Sequence, residues 1–162
     1  YWKMATITAT LAPARGNEAR GRQPYYVQQI IDLTANSINP NGDVVQALTI
    51  PANTKIVSAG FQVTSSATQN TGTDATATLG TGADADEYVT AFDIDGAADG
   101  AYAPSVTVSA DLVITSADTL DLTLAGSGAS FTAGEIRVFA CLLDVSDNGI
   151  ATADEVDRDT LA

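Results

Sequence analysis

Apolar and polar side chains alternate along most of this chain with a period of two. Only an extended strand sends successive side chains to opposite faces, so this pattern constrains the fold more than any other feature. In Leu120-Asp121-Leu122-Thr123-Leu124 three leucines share one face, while Asp and Thr share the other. Val106 and Val108 alternate with Thr107 and Ser109, and Leu112 and Ile114 follow. Ala75-Thr76-Ala77-Thr78-Leu79 repeats the motif with small residues, and Val57, Ala59, Phe61 and Val63 form the apolar face of a further strand. Two more faces come earlier, Tyr25-Val27-Gln29-Ile31-Leu33 and Val44-Gln46-Leu48-Ile50. With Tyr88 to Ile94 and Gly134 to Leu143 the count reaches seven or eight strands.

Turn chemistry separates these runs. Asn39-Pro40-Asn41-Gly42, Pro51-Ala52-Asn53, Gly80-Thr81-Gly82, Asp95-Gly96 and Gly126-Ser127-Gly128 supply residues suited to the positive or fixed φ of tight turns. Sixteen Asp against four Glu is a bias of turns and strand ends, since Glu favours helices and Asp does not. A helical turn or two is expected only near Ala83 to Tyr88. The predicted fold is all-β, a jelly-roll-like sandwich of about eight antiparallel strands over residues 25–146. An extended N-terminal arm (1–24) precedes it and an acidic tail (147–162) follows. At 162 residues the chain has the size of one domain and can bury a core without disulfides.

Charge divides the chain. Residues 1–22 carry Lys3, Arg15, Arg20 and Arg22 against Glu18, net +3, whereas the remainder carries three basic and nineteen acidic residues, net −16. Leu11 to Pro24 holds Pro, Gly and Arg without apolar periodicity, which predicts an extended arm. Stretched out, 22 residues reach about 70 Å, far enough to cross a neighbouring subunit. The acidic remainder argues against nucleic acid as a partner, because phosphate binding depends on Lys and Arg. No apolar run is long enough for a membrane-spanning helix. Tyr1-Trp2-Lys3-Met4 leads into a Thr-rich stretch in place of a leader's apolar run, and Met4-Ala5-Thr6 reads as a natural start.

With no histidine in the chain, His-based acid/base catalysis, His-containing triads and His-ligated zinc are absent, and no enzymatic role is expected. Cys141 lies in an apolar strand without a histidine partner and is expected in the core. Asp86 with Asp93 or Asp95 is the carboxylate pair to test for glycoside chemistry, though the acidic loops read first as solvated turns. Asp144, Ser146, Asn148, Gly149 and Glu155 match calcium-loop spacing. That loop normally joins two helices, and here a strand precedes it, which favours a turn and tail. Calcium at this loop is the cofactor its spacing admits, and the acidic runs Asp84 to Glu87 and Asp93 to Gly100 could also hold a cation, though they read first as solvated turns. In Ile136 to Leu143 both alternating faces are apolar, which suits a strand covered on both sides. Phe139 and Leu143 then mark either a subunit contact or a surface covered by a loop of the same chain.

Val27-Gln28-Gln29-Ile30-Ile31-Asp32-Leu33, Asp43 to Thr54 with its Pro51-Ala52-Asn53-Thr54 turn, Gly60-Phe61-Gln62-Val63-Thr64, Ala77 to Gly82, and Phe92-Asp93-Ile94-Asp95-Gly96 together resemble small structural proteins of tailed-bacteriophage head modules. The resemblance covers under half of the chain. It implies an auxiliary virion protein, a capsid decoration or cement protein with a jelly-roll body. Such a protein is often trimeric and is bound to the major capsid protein on the exterior of the shell. Arg15, Arg20 and Arg22 would then contact capsid carboxylates. Two other roles suit a β-sandwich of this composition: a carbohydrate-binding module, on a phage fibre or secreted, using Tyr88 or Tyr102, and a phage tail or neck component.

Overall fold

A computed structural model describes residues 24–103 and 113–145. Among the described residues nine strands follow one another: β1 (Tyr25–Asp32), β2 (Val44–Ile50), β3 (Thr54–Gln69), β4 (Thr76–Gly80), β5 (Val89–Asp93), β6 (Tyr102–Ala103), β7 (Val113–Ile114), β8 (Asp118–Ala125) and β9 (Phe131–Asp144). One sheet runs β1-β9-β3-β6, with β7 also on β3, and the other runs β2-β8-β4-β5. All pairings are antiparallel. The short strands β6 and β7 share one edge of β3, against Phe61 and Gln62 and against Thr54 and Lys55. Counted as one position they leave eight strands, whose consecutive members pass between sheets except at the β4-β5 hairpin, in jelly-roll order.

Alternation sets the core. Leu120, Leu122 and Leu124 point inward from β8, and Ile136, Val138, Ala140 and Leu142 from β9, all fully buried or nearly so. Phe61 of β3 meets Phe92 edge to face at 5.6 Å, a geometry the ring quadrupoles favour.

Bulges shift two of the expected faces. The β3 register slips between Ile56 and Ser58, so Ile56, Ala59, Phe61 and Val63 are buried while Val57 is turned out and exposed. A slip between Gln46 and Leu48 does the same in β2. Val45 packs against the core there, and Val44 is exposed. The expected helical turn at 83–88 is instead a run of turns and bends, and the described helical element is a 3-10 turn at Ala35–Ser37. Of the alternation at 106–112, all lies outside the described residues.

Candidate functional site

The outer face of the β1-β9-β3-β6 sheet is built on β9, the strand between β1 and β3. Its inward residues fill the core, and the alternate set, Arg137, Phe139, Cys141 and Leu143, stands on the other side, half-buried. Phe139 opposes Gln28 on β1 and Gly60 on β3. A Cβ at position 60 would lie 3.0 Å from the Phe139 ring and 2.8 Å from the Ala103 carbonyl oxygen, so glycine leaves the trough in which the ring rests. Across that trough Phe139 stacks on Tyr102 of β6, with centroids 5.5 Å apart and planes 7° from parallel. On its other flank it stacks on Tyr26 of β1 at 6.0 Å and 21°. The result is a row of three rings across four strands, with Tyr26 59 % and Tyr102 53 % exposed.

Around the row stand exposed Ile30, half-buried Leu143 and half-buried Cys141. Cys141 is therefore not in the core as expected. Its register partners, Tyr26 and Ser58, put it on the outer face, because β9 is apolar on both sides. Lys55 and Arg137, the two basic residues among those described, also lie on this face, opposite Leu143 and Gln62 respectively. An Arg137 terminal nitrogen donates to Gln62 Oε1 at 3.4 Å, while the buried Nε has no hydrogen-bond partner among the described residues. The outer face of the second sheet is different in kind. It presents half-buried Thr76 and Thr78 from β4 and Thr119, Asp121 and Thr123 from β8 beside exposed Val44 of β2, and Thr78 Oγ1 and Asp121 Oδ1 are buried there with no hydrogen-bond partner among the described residues.

The acidic loops turn out to be fastenings. Gln69, 5 % exposed, donates from Nε2 to Asp74 Oδ1 (3.1 Å) and Asp95 Oδ2 (3.0 Å), and its Oε1 accepts from the Gly128 N–H (2.8 Å). Ser127 donates its hydroxyl to the same Asp74 oxygen. Hydrogen bonds from Gln69 first, and then Ser127, hold the Asp74 carboxyl below the usual carboxylate range. Asp93 accepts from the N–H groups of Asp95 and Gly96, capping its own turn. Asp86 is raised instead, by a hydrogen bond to and repulsion from Asp84, and Glu87 is raised chiefly by burial.

Asp86 and Asp93 are not brought together. Asp93 pairs with Thr76 at one end of β4, and the loop carrying Asp86 folds back on Gly80 at the other, four extended residues or about 13 Å away. Tyr88 is 1 % exposed, so its ring offers no platform to a sugar, and burial pushes its hydroxyl well above the ordinary range. No group of three or more His, Cys, Asp or Glu is placed to hold a metal among the described residues. Asp144 closes β9 opposite Thr54, whereas Ser146, Asn148 and Glu155 of the calcium-like spacing lie outside the described residues, as do Arg15, Arg20 and Arg22.

With this geometry in place the chain can be set beside known proteins. It aligns with a chain of the cyanophage Pam1 capsid asymmetric unit at a TM-score of 0.61 and 19% identity, covering 87% of this chain and 96% of that one. A chain of the Ralstonia phage GP4 capsid aligns at 0.59 and 18%, covering 86% and 93%. The likeness is one of fold. No protein-family model and no curated protein sequence matches. The sandwich is thus an architecture found in chains of phage capsids.

The sequence pointed to Phe139 and Leu143 through the doubly apolar β9, and both stand on the outer face. It named Tyr102 only as a sugar contact and missed Tyr26 and Gly60, because the partnership of these residues with Phe139 depends on strand neighbours far apart in the chain. The available signal was a glycine within a strand, which marks close approach.

Proposed function

We propose that this chain is a structural protein of a phage virion, a decoration or cement protein. It docks on the exterior of the shell, contacts the major capsid protein, self-associates as a homotrimer, and acts without turnover. The observation that carries this reading is the fold shared, over nearly the full length of both partners, with chains of two phage capsids. Charge supports the exterior position: a body this acidic is repelled by packaged DNA. Residues 1–22, net +3, supply a basic arm whose Arg15, Arg20 and Arg22 suit bidentate contacts to carboxylates on the shell.

A protein that binds only the assembled shell stabilises it by mass action, by about 2.7 kcal/mol per site at a hundredfold excess over Kd, and arms acting together with bodies strengthen attachment. Deletion of residues 4–22 tests this: the truncated chain is expected to keep the circular dichroism of the β body and lose attachment to shells of its own phage. Attachment at full strength by the truncated chain would remove the arm from the account.

A further inference from the structure

We infer that copies of this chain pair with one another through the outer face of the β1-β9-β3-β6 sheet, with the Tyr26-Phe139-Tyr102 row at the centre of the contact. The inference rests on the proposal that the chain is a self-associating virion component, and it adds a two-fold contact between copies to the head-to-tail contacts that close a trimer. Charge selects the partner. The described residues carry thirteen acidic side chains and two basic ones, so two copies meeting at most surfaces set carboxylate against carboxylate. This face is the exception, because Lys55 and Arg137 both lie on it and balance Asp32 and Glu135 at its end.

Where the same face of two copies meets itself the contact is isologous, and the patch must be complementary to itself. Glu135 and Arg137, two residues apart on β9, provide both signs, and among the described residues the terminal nitrogens of Arg137 make one hydrogen bond, to Gln62, long at 3.4 Å. The apolar part also fits. Tyr26, Ile30 and Tyr102 are half of the six exposed large hydrophobic residues described, and Tyr and Arg are the residue types on which interface energetics most often depend.

Sedimentation velocity on the full chain, with Tyr26→Glu and Tyr102→Glu variants, tests the pairing. Both tyrosines are more than half exposed, so the variants are expected to fold, which thermal melts will check. The wild type is expected to sediment as an assembly at micromolar concentration, with association weakened at least tenfold in each variant. A wild type that stays monomeric, or variants that associate as it does, would overturn the inference. Hydroxyl-radical footprinting adds a further arm: Tyr26 and Tyr102 protected in a monomer would mean that the chain's own remaining residues cover the face, and pairing fails. Variants of a monomeric wild type that lose shell binding would assign the face to the shell, overturning pairing and leaving the virion role standing. Assembly lost in the variants, with no shell binding by the wild type, would uphold pairing and sink the virion role.

Discussion

Gln69 shows how much one side chain can hold in a fold with few helices. Its amide joins the loops at 74, 95 and 128, three chain segments that the strands alone leave separate. Gln69→Ala strands a buried N–H and releases two carboxylates, and a loss of about 1–3 kcal/mol is expected from chemical denaturation. The pH dependence follows from Asp74, whose carboxyl is held below its ordinary value in the folded state. Its contribution is complete above the ordinary carboxylate range and disappears as pH falls through the lowered value. In Gln69→Ala the largest cause of that lowering is gone, so the acid limb of a Tm-against-pH curve should flatten below about pH 4. Asp86 has the opposite sign, because a hydrogen bond with Asp84, and then repulsion from it, raise it. Asp86→Asn should raise Tm slightly at neutral pH, and the gain should vanish as pH falls into the range where Asp86 takes up its proton.

Elements, rather than single residues, make the aromatic row. Tyr26, Phe139 and Tyr102 belong to three strands and become neighbours only because β9 lies between β1 and β3, and β6 on the far side of Gly60. Gly60→Val forces a branched side chain against the Ala103 carbonyl and the Phe139 ring. The expected cost is about 1–3 kcal/mol, with a changed near-ultraviolet circular dichroism from the displaced rings. Strand identity was legible in the sequence wherever alternation was strict, as in Leu120 to Leu124, all three of whose leucines are buried. It failed by one residue at Val57 and at Val44, because a bulge inverts the phase and leaves no mark in a pattern of period two. The doubly apolar β9 flagged Phe139 and Leu143, yet Cys141 was misplaced in the core. Alternation says which residues share a face but not which face is inside when both are apolar. Tyr88, proposed as a sugar platform, is buried because its N–H bonds the Leu79 carbonyl beside β4 and draws the ring inward, a contact between segments that no local pattern encodes.

At the scale of the whole molecule the account depends on asymmetry. One outer sheet face is chiefly threonine and aspartate with an exposed Val44; the other carries aromatic rings and both described cations, on a body otherwise acidic. On the proposed virion role, this asymmetry is what a protein that works by contact would carry. The most direct measurement is co-sedimentation of the full chain with purified shells of its own phage, read with the temperature at which those shells open. The account predicts saturable binding at a fixed ratio to shell subunits and a higher opening temperature in its presence. A chain that stays in the supernatant at concentrations well above micromolar, leaving the opening temperature unmoved, would contradict it.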